Sequence, residues 1–326
     1  MRWLIKLLVT IGLLALILGQ LDVEELWRSL ASAHPAPFAA GMAAVLLMRI
    51  CAAARMCVVL QRHLVSVSLA RLFAINLRAA FISFFLPGHI AGGVVRWHLL
   101  MRQGASGAGA LTAIGFDRLN EFSVVILTGL ACSLMSRQAG MPSIVPLLLV
   151  ATFAGLLVLQ VAVMSERFVT IAWIAGTHLG VFRWRLASRA FEKLAVSAGA
   201  FRALPLRCRV QIWGWSLVSN AVGLLSYYWL AQSVDLPLGV FDLGWIRSAV
   251  TTLGMLPLTL SGLGVREGAM IALLAGYGVT PVAAVVFSLL LFVRAVVVAL
   301  AGGLLVAVDV LAGRIWQPAP KPRSAS

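Results

Sequence analysis

Eight arginines lie within or near the apolar stretches of this chain, where cationic side chains are least expected. They are Arg49, Arg55, Arg78, Arg96, Arg118, Arg247, Arg266 and Arg294. Since an arginine at the centre of a bilayer costs about 3 kcal/mol, those that cannot reach the membrane surface must face protein, water or a bound anion. Three acids, Asp117, Glu121 and Glu267, accompany them. The excess of positive charge favours an anionic ligand for the set, while a structural ion pair is the alternative role for any single arginine.

The position of each arginine along its apolar stretch predicts how its charge is accommodated. Arg55 and Arg247 fall near helix ends, where a long side chain can reach the membrane surface. Arg49 and Arg294 fall near the middle of their spans and cannot reach it. We therefore expect the second pair to face the interior of the protein.

The acids are expected to neutralise part of this charge. Asp117 and Glu121 are four residues apart, so they share one helix face and can pair with arginines of neighbouring helices. Arg266 and Glu267 are adjacent and are predicted to point apart, each toward a partner elsewhere. The residues predicted to form supporting ion pairs, or to couple the site to an ion, are Asp117, Arg118, Glu121, Glu267, Arg49, Arg78 and Arg294.

Two of the arginines belong to a motif that occurs twice, 170 residues apart. The copies begin at Leu86 and Leu256 and share Leu, Pro, Gly, Val and Arg at corresponding positions. Each copy predicts a helix that stops before its proline, a glycine-rich turn, and a new helix that carries its arginine in the first turns. The predicted hinges are Pro87, Gly88 and Pro257. Two ordinary proline kinks are the alternative interpretation.

The repeated motif predicts an anion site. A helix that begins inside the membrane directs unpaired N–H groups, with a partial positive charge, toward the interior. Arginines in the same turns strengthen that charge, and glycines allow the backbone to approach a phosphate closely. The predicted head-group or phosphate-binding residues are Arg96, Arg266, Gly92, Gly93, Gly262 and Gly264.

Composition places the chain in a membrane. Of its 326 residues, 61% are hydrophobic and 11% are charged, whereas about 25% are charged in a soluble domain. The net charge of +15 suits cytoplasmic loops that face anionic lipid, and no nucleic acid is expected as a partner. The four cysteines show no metal or redox spacing, so we predict no metal site and no cofactor.

Apolar periodicity predicts an all-α polytopic membrane protein. Runs long enough to span a bilayer occur near residues 3–19, 37–60, 108–135, 142–164, 210–233 and 281–308. Two broken segments lie between them, near 70–103 and 243–277, and each can be re-entrant or fully spanning. The sequence therefore predicts about six full spans and two broken helix pairs.

Charge asymmetry predicts the orientation of these elements. With the N-terminus inside, the inner face receives 16 of the 26 lysines and arginines, and the outer face receives only Arg28 and Arg137. Because cytoplasmic loops carry the excess of basic residues, both termini are predicted to be cytoplasmic. The two broken segments then enter from opposite sides and form an inverted repeat, as in many transporters.

The chain is predicted to form a single transmembrane domain over residues 1–310. Its halves, about 1–164 and 210–310, are joined by a basic cytoplasmic linker over 165–209. Residues 311–326 are polar and proline-rich and are predicted to be a disordered cytoplasmic tail.

Three motifs together resemble the lysylphosphatidylglycerol synthase transmembrane family, a flippase-like family, over about residues 5–310. They are Leu86-Pro-Gly-x-x-x-Gly-Gly-x-x-Arg96, the pair Asp117-Arg118, and Ser261-Gly-x-Gly-x-x-Glu-Gly268. The resemblance implies a lipid translocator of the bacterial cytoplasmic (inner) membrane with two re-entrant helix pairs.

Carried over to this chain, the resemblance places Arg96, Asp117, Arg118 and Glu267 at or beside the path of the lipid head group. A soluble aminoacyl-transferase domain is not expected after residue 310. The resemblance therefore leaves the lipid open, and relatives act in polyprenyl-phosphate-sugar and hopanoid pathways.

Three classes of function follow from these observations. The first is a translocator, or flippase, of an anionic or phosphate-bearing lipid such as a modified phospholipid or a polyprenyl-phosphate lipid, which would not be an enzyme. The second is an integral membrane glycosyltransferase, since such enzymes carry acids on the first outer loop, where Asp22 and Glu24 fall. That loop is too short for a donor site, and an interfacial helix is the alternative. The third is an accessory subunit that binds lipid-synthesis enzymes.

Overall fold

Ten α-helices form the part of the chain that the computed structural model describes. That part comprises residues 31–60, 67–85, 91–136, 144–178, 204–254 and 265–312, with positions 24, 28, 188, 189, 192, 195 and 199. No strand occurs among these residues. The helices are α1 Pro35–Leu60, α2 Leu69–Phe85, α3 Ala91–Met101, α4 Gly107–Met135, α5 Ile144–Met164, α6 Glu166–His178, α7 Leu206–Gln232, α8 Val240–Gly254, α9 Val265–Ala275 and α10 Pro281–Leu311. The predicted all-α class is confirmed.

Four of these helices are long and apolar enough to cross a membrane. They are α1, α4, α5 over Ile144–Ala162, and α10, and each coincides with a predicted span. The predicted span at 3–19 lies outside the described residues. The chain is therefore a multi-pass helical membrane protein.

The predicted span at 210–233 corresponds to α7, which is less apolar than those four helices. Its 27 residues would extend about 40 Å, enough for a bilayer. Several polar residues lower its hydropathy, and two of them face α1. Ser219 donates a hydrogen bond to the carbonyl of Met48 at 3.3 Å, and Ser226 donates one to the carbonyl of Gly41 at 2.8 Å.

Local sequence explains where the long helices begin. The Ser106 side chain accepts a hydrogen bond from the amide of Gly109 at 3.1 Å and so caps the N-terminus of α4. Thr280 caps α10 in the same way through the amide of Ala283, and Pro281 occupies the first helical position. Both caps satisfy amides that have no partner within the helix.

The described part of each predicted broken segment consists of two helices. In the first half α2 and α3 flank residues 86–90, and in the second half α8 and α9 flank residues 255–264; these intervening residues lie outside the described part of the chain. Helices α3 and α9 have 11 residues each, about 16 Å, which is half of a hydrocarbon core. Helix α2 packs on α3 and α8 packs on α9. The predicted hinges Pro87, Gly88 and Pro257, and the glycines Gly262 and Gly264, lie outside the described residues.

The two halves repeat one order of helices. Helices α1 to α4 have 26, 17, 11 and 29 residues, and α7 to α10 have 27, 15, 11 and 31. Helix α1 packs on α7, its counterpart, while α2 packs on α10 and α4 on α8. A two-fold relation between the halves would produce this exchange of partners. Their opposite orientation in the membrane stays a prediction, as do the cytoplasmic termini.

Close contact between the halves depends on small residues. A Cβ at Gly302 of α10 would collide with the carbonyl group of Leu77 on α2, and one at Gly303 would lie 2.7 Å from the Phe81 ring. The α2 and α10 backbones therefore approach to a distance that only glycine permits.

The predicted linker contains a helix. Helix α6, at Glu166–His178, packs on α5 and exposes Phe168, Ile171 and Ile174. Helix α7 already begins at Leu206, four residues before the predicted second half. The predicted tail from 313 onward lies outside the described residues.

Candidate functional site: an arginine-lined cavity between the halves

A cavity of about 640 Å³ opens where helices of both halves meet. Its cationic residues are Arg49 of α1, Arg96 of α3, Arg118 of α4 and Arg266 of α9. Asn76 and Ser83 add polar groups from α2. No carboxylate is among the lining residues that belong to the described part of the chain, so this part of the cavity surface is cationic.

The two arginines of the repeated motif line this one cavity. Arg96 is predominantly buried, with 8% of its surface exposed, and its Nε has no hydrogen-bond partner. Its Nη1 lies 3.6 Å from Oδ2 of Asp117. That distance is an ion pair but is too long for a hydrogen bond, so Arg96 retains donors for another partner.

Asp117 is held more tightly by a different arginine. Arg55 Nε donates to Asp117 Oδ1 at 2.6 Å, and the two side chains are 1% and 5% exposed. Arg55 Nη1 also donates to Ser216 Oγ at 3.3 Å. The expectation that Arg55 reaches the membrane surface is wrong, because the carboxylate on α4 satisfies its charge inside the protein.

Glu121 lies one helical turn after Asp117, and the two acids share a partner as the spacing predicted. Arg55 Nη2 lies 3.4 Å and Arg118 Nη1 lies 3.2 Å from Glu121 Oε2. Two acids of α4 therefore balance Arg55 of α1, while Arg96 and Arg118 approach them from the cavity side.

Arg266 and Glu267 form a pair with each other. Arg266 Nη2 and Nε lie 2.7 and 3.1 Å from Glu267 Oε1, and Ser288 Oγ donates to the same oxygen at 3.0 Å. The expectation that adjacent residues point apart is wrong here. The reason is that Glu267 is buried against α10 while the longer Arg266 side chain curls back to reach it.

Arg294 and Arg247 lie on the ring of Tyr227. Their guanidinium carbons are 4.8 and 5.6 Å from the ring centroid, a distance at which cation–π attraction is effective. Arg247 Nη1 also donates to Asn220 Oδ1 at 2.7 Å. Arg247 was expected to reach the surface, and this is wrong because it has partners on α7. Arg294 Nη1 is buried without a hydrogen bond, in keeping with its mid-span position.

Arg49 differs from the other cavity arginines because no carboxylate of the described residues lies within ion-pair distance of it. Its Nε is buried and has no hydrogen-bond partner, and no ion pair joins it to an acid among the described residues. It contributes a full positive charge to the wall of the cavity.

Arg78 lies outside the cavity and pairs with an acid that sequence reasoning missed. Its Nε lies 2.7 Å from Asp309 Oδ2, although its N–H is not aligned for a hydrogen bond. Asp309 falls one residue past the predicted end of the last span and was therefore not counted. Helix α10 extends to Leu311, which brings Asp309 beside α2.

The two glycines before Arg96 have different surroundings. Both lie within α3. A Cβ at Gly92 would meet Ser83 Oγ of α2, whereas one at Gly93 would meet nothing within 4 Å. Gly92 also lines the cavity. The packing of α3 on α2 therefore requires a small residue at position 92.

Sequence reasoning also missed the apolar part of the wall. Phe84 of α2 and Phe292 of α10 line the cavity with ring centroids 5.7 Å apart, beside Val298. Phe84 is 40% exposed, so this wall reaches the surface of the molecule. No sequence pattern distinguishes these residues from lipid-facing ones.

The fold and the cavity define a multi-pass helical membrane protein with a cationic chamber built from both halves. The chain belongs to the lysylphosphatidylglycerol synthase TM region family, whose family model matches residues 3–303. The resemblance carried by the three sequence motifs is thus confirmed. No curated protein matches the chain.

Proposed function

We propose that the protein translocates an anionic or phosphate-bearing lipid across the bacterial cytoplasmic membrane, with Arg96 and Arg266 binding the head-group phosphate. One observation carries the proposal: arginines from both halves line one cavity, and none of the described residues that line it is a carboxylate. Guanidinium groups fit phosphate oxygens through paired N–H donors. Membership of a family whose membrane domain is often linked to lipid translocation supports the same function.

The two walls of the cavity suit the two parts of a lipid. The arginines would hold the head group, and the wall formed by Phe84, Phe292 and Val298 would contact the apolar chain. Because Phe84 is partly exposed, the chain would remain in contact with the bilayer while the head group enters the cavity.

Each half contributes one arginine of the repeated motif, and this symmetry suggests how the site works. Arg96 belongs to the short helix of the first broken segment, and Arg266 belongs to that of the second. A phosphate held between them would couple movement of one half to the other. Rocking of one repeat against the other around such a site is the general mechanism of alternating access.

The glycosyltransferase alternative has less support. Asp22 lies outside the described residues, and Glu24 pairs with exposed Arg28 at 2.7 Å. The acids nearest the cavity, Asp117 and Glu267, are engaged by arginines. An assay of radiolabelled sugar transfer by the purified protein distinguishes the two functions, since a translocator yields no product.

The proposal is tested in proteoliposomes with head-group-labelled anionic lipid and an impermeant quencher. Protein should expose inner-leaflet label to the quencher, and Arg96→Lys and Arg266→Lys should abolish most of this exposure. Lysine keeps the charge and loses the paired donors. Arg71→Lys is the matched control, because Arg71 is exposed at the start of α2. Equal quenching with and without protein would contradict the proposal.

A further inference from the structure

We infer that the cavity selects a head group with at least two negative charges on phosphate oxygens, such as a diphosphate or a phosphomonoester, and excludes aminoacylated head groups. This inference rests on the proposed function and narrows its substrate class. It follows from the charges that the structure brings together at the cavity.

The charge balance of the site is strongly positive. Among the described residues, four arginines line the cavity wall, and Arg55 contacts the acids behind it. The acids that contact any of these five arginines are Asp117, Glu121 and Glu267. Five positive and three negative charges leave an excess of two. A phosphodiester with one negative charge would leave half of that excess uncompensated in a site of low polarity, where uncompensated charge is costly.

The unused donors are distributed over two helices. Arg49 of α1 and Arg96 of α3 both line the cavity, and the Nε of each has no hydrogen-bond partner among the described residues. A phosphomonoester offers three terminal oxygens and about two negative charges, and a diphosphate offers more. A phosphodiester offers two non-bridging oxygens. The larger anions can therefore engage both arginines while still contacting Arg266.

The cavity is large enough to hold a diphosphate or phosphomonoester head group. Its volume of about 640 Å³ lies in the range of sites that enclose a whole ligand rather than an ion. A diphosphate, with a further polar group attached, fits within such a volume. Small-anion binding would not require so large a chamber.

The same arrangement disfavours an aminoacylated head group. A lysyl ester brings two ammonium groups, which require carboxylates or carbonyls as partners. Each acid near the cavity already accepts from an arginine: Asp117 at 2.6 Å, Glu121 at 3.2 Å and Glu267 at 2.7 Å. A lysyl head group would thus add positive charge to a site with a positive excess.

The test compares diacylglycerol lipids with identical acyl chains and different head groups. Purified full-length protein is titrated with phosphatidylcholine, phosphatidylglycerol, phosphatidic acid, diacylglycerol diphosphate and lysylphosphatidylglycerol, and binding is measured by native mass spectrometry at about 0.15 M salt, which screens exposed charges. Phosphatidic acid and the diphosphate should bind at least about tenfold more tightly than phosphatidylglycerol, since each additional charged hydrogen bond contributes at least that much. The lysyl lipid should bind more weakly still.

Two variants distinguish an effect of the cavity from an effect of the overall charge of the protein. Arg49→Gln should reduce the preference for the diphosphate over phosphatidylglycerol about tenfold, because Arg49 has no acid of its own. Arg71→Gln removes the same charge from an exposed position and should leave the preference unchanged. A preference that survives Arg49→Gln, or that falls equally in Arg71→Gln, would overturn the inference.

Transport measured with the same lipids separates failure of the inference from failure of the proposed function. If lysylphosphatidylglycerol or phosphatidylglycerol binds and crosses as well as phosphatidic acid, the inference is wrong and translocation stands. If none of the anionic lipids crosses faster than in protein-free liposomes, both are wrong. Binding of phosphatidylcholine equal to that of the diphosphate would also overturn the inference.

Discussion

Asp117 contacts two arginines. Removing Arg55 should lower the stability of the protein, whereas removing Arg96 should abolish transport. Arg55 holds Asp117 at 2.6 Å with both side chains almost fully buried, whereas Arg96 lies 3.6 Å away and lines the cavity. Arg55→Ala would leave Asp117 without its hydrogen-bonded cation and remove one of the two arginines on Glu121. Breaking a buried pair in this way costs about 3–5 kcal/mol.

Arg96→Ala should cost far less stability. Asp117 would keep its hydrogen bond to Arg55, and the site would lose one charge of its positive excess. We therefore expect a change within about 1 kcal/mol in the free energy of unfolding, as for a substitution that leaves no buried group unpaired. Transport should nevertheless be lost, because Arg96 lines the cavity and is proposed to hold the phosphate.

The assay pairs the apparent Tm in detergent with lipid transport in proteoliposomes for both variants. Arg55→Ala should lower the Tm by several degrees, and its remaining folded protein should still transport. Arg55→Ala/Asp117→Ala should recover part of the stability, since the two effects are coupled. If Arg96→Ala lowers the Tm as much as Arg55→Ala, and transport falls only in proportion, then Arg96 is a structural residue and the reasoning is refuted.

Two further predictions concern the fold. Gly302→Ala should destabilise the protein by about 1–3 kcal/mol through overpacking of α10 on α2. Gly115→Ala, where a Cβ meets nothing within 4 Å, should not lower the Tm, because alanine favours a helix over glycine. Equal effects of the two substitutions would mean that the close approach is not needed. A cysteine at Ala198 in a cysteine-free background should resist an impermeant thiol reagent in intact cells and react after lysis, as the basic linker predicts, and labelling of intact cells would reverse the predicted orientation.

The sequence alone determined the class of the protein and the order of its helices. Long apolar runs exclude a soluble domain whatever the tertiary arrangement, because lipid must surround them. The repeated motif predicted where each half divides into two helices, since its proline acts on the backbone locally. The order of helices in the two halves was therefore readable before any contact was known.

The pairing of charges was decided by tertiary structure. Position along the chain suggested that Arg55 reaches the surface, yet the packing of α1 beside α4 places it on Asp117. Asp309 was not counted near a span, and the length of α10 placed it on Arg78. Ion pairs between helices depend on which faces meet. Spacing within one helix shows which residues share a face, as for Asp117 and Glu121, but not which face of another helix lies against it.

The dependence on helix packing also explains why the cavity was not predicted from the sequence. Sequence spacing indicated Arg96 and Arg266 as related residues but not that Arg49 and Arg118 would join them, nor that Phe84 and Phe292 would form an apolar wall. These residues come from helices far apart in the chain. They reach one surface only because helices of one half pack on helices of the other. The types of the charged residues were determined by the sequence, and their convergence on a single cationic cavity was determined by the packing of the helices.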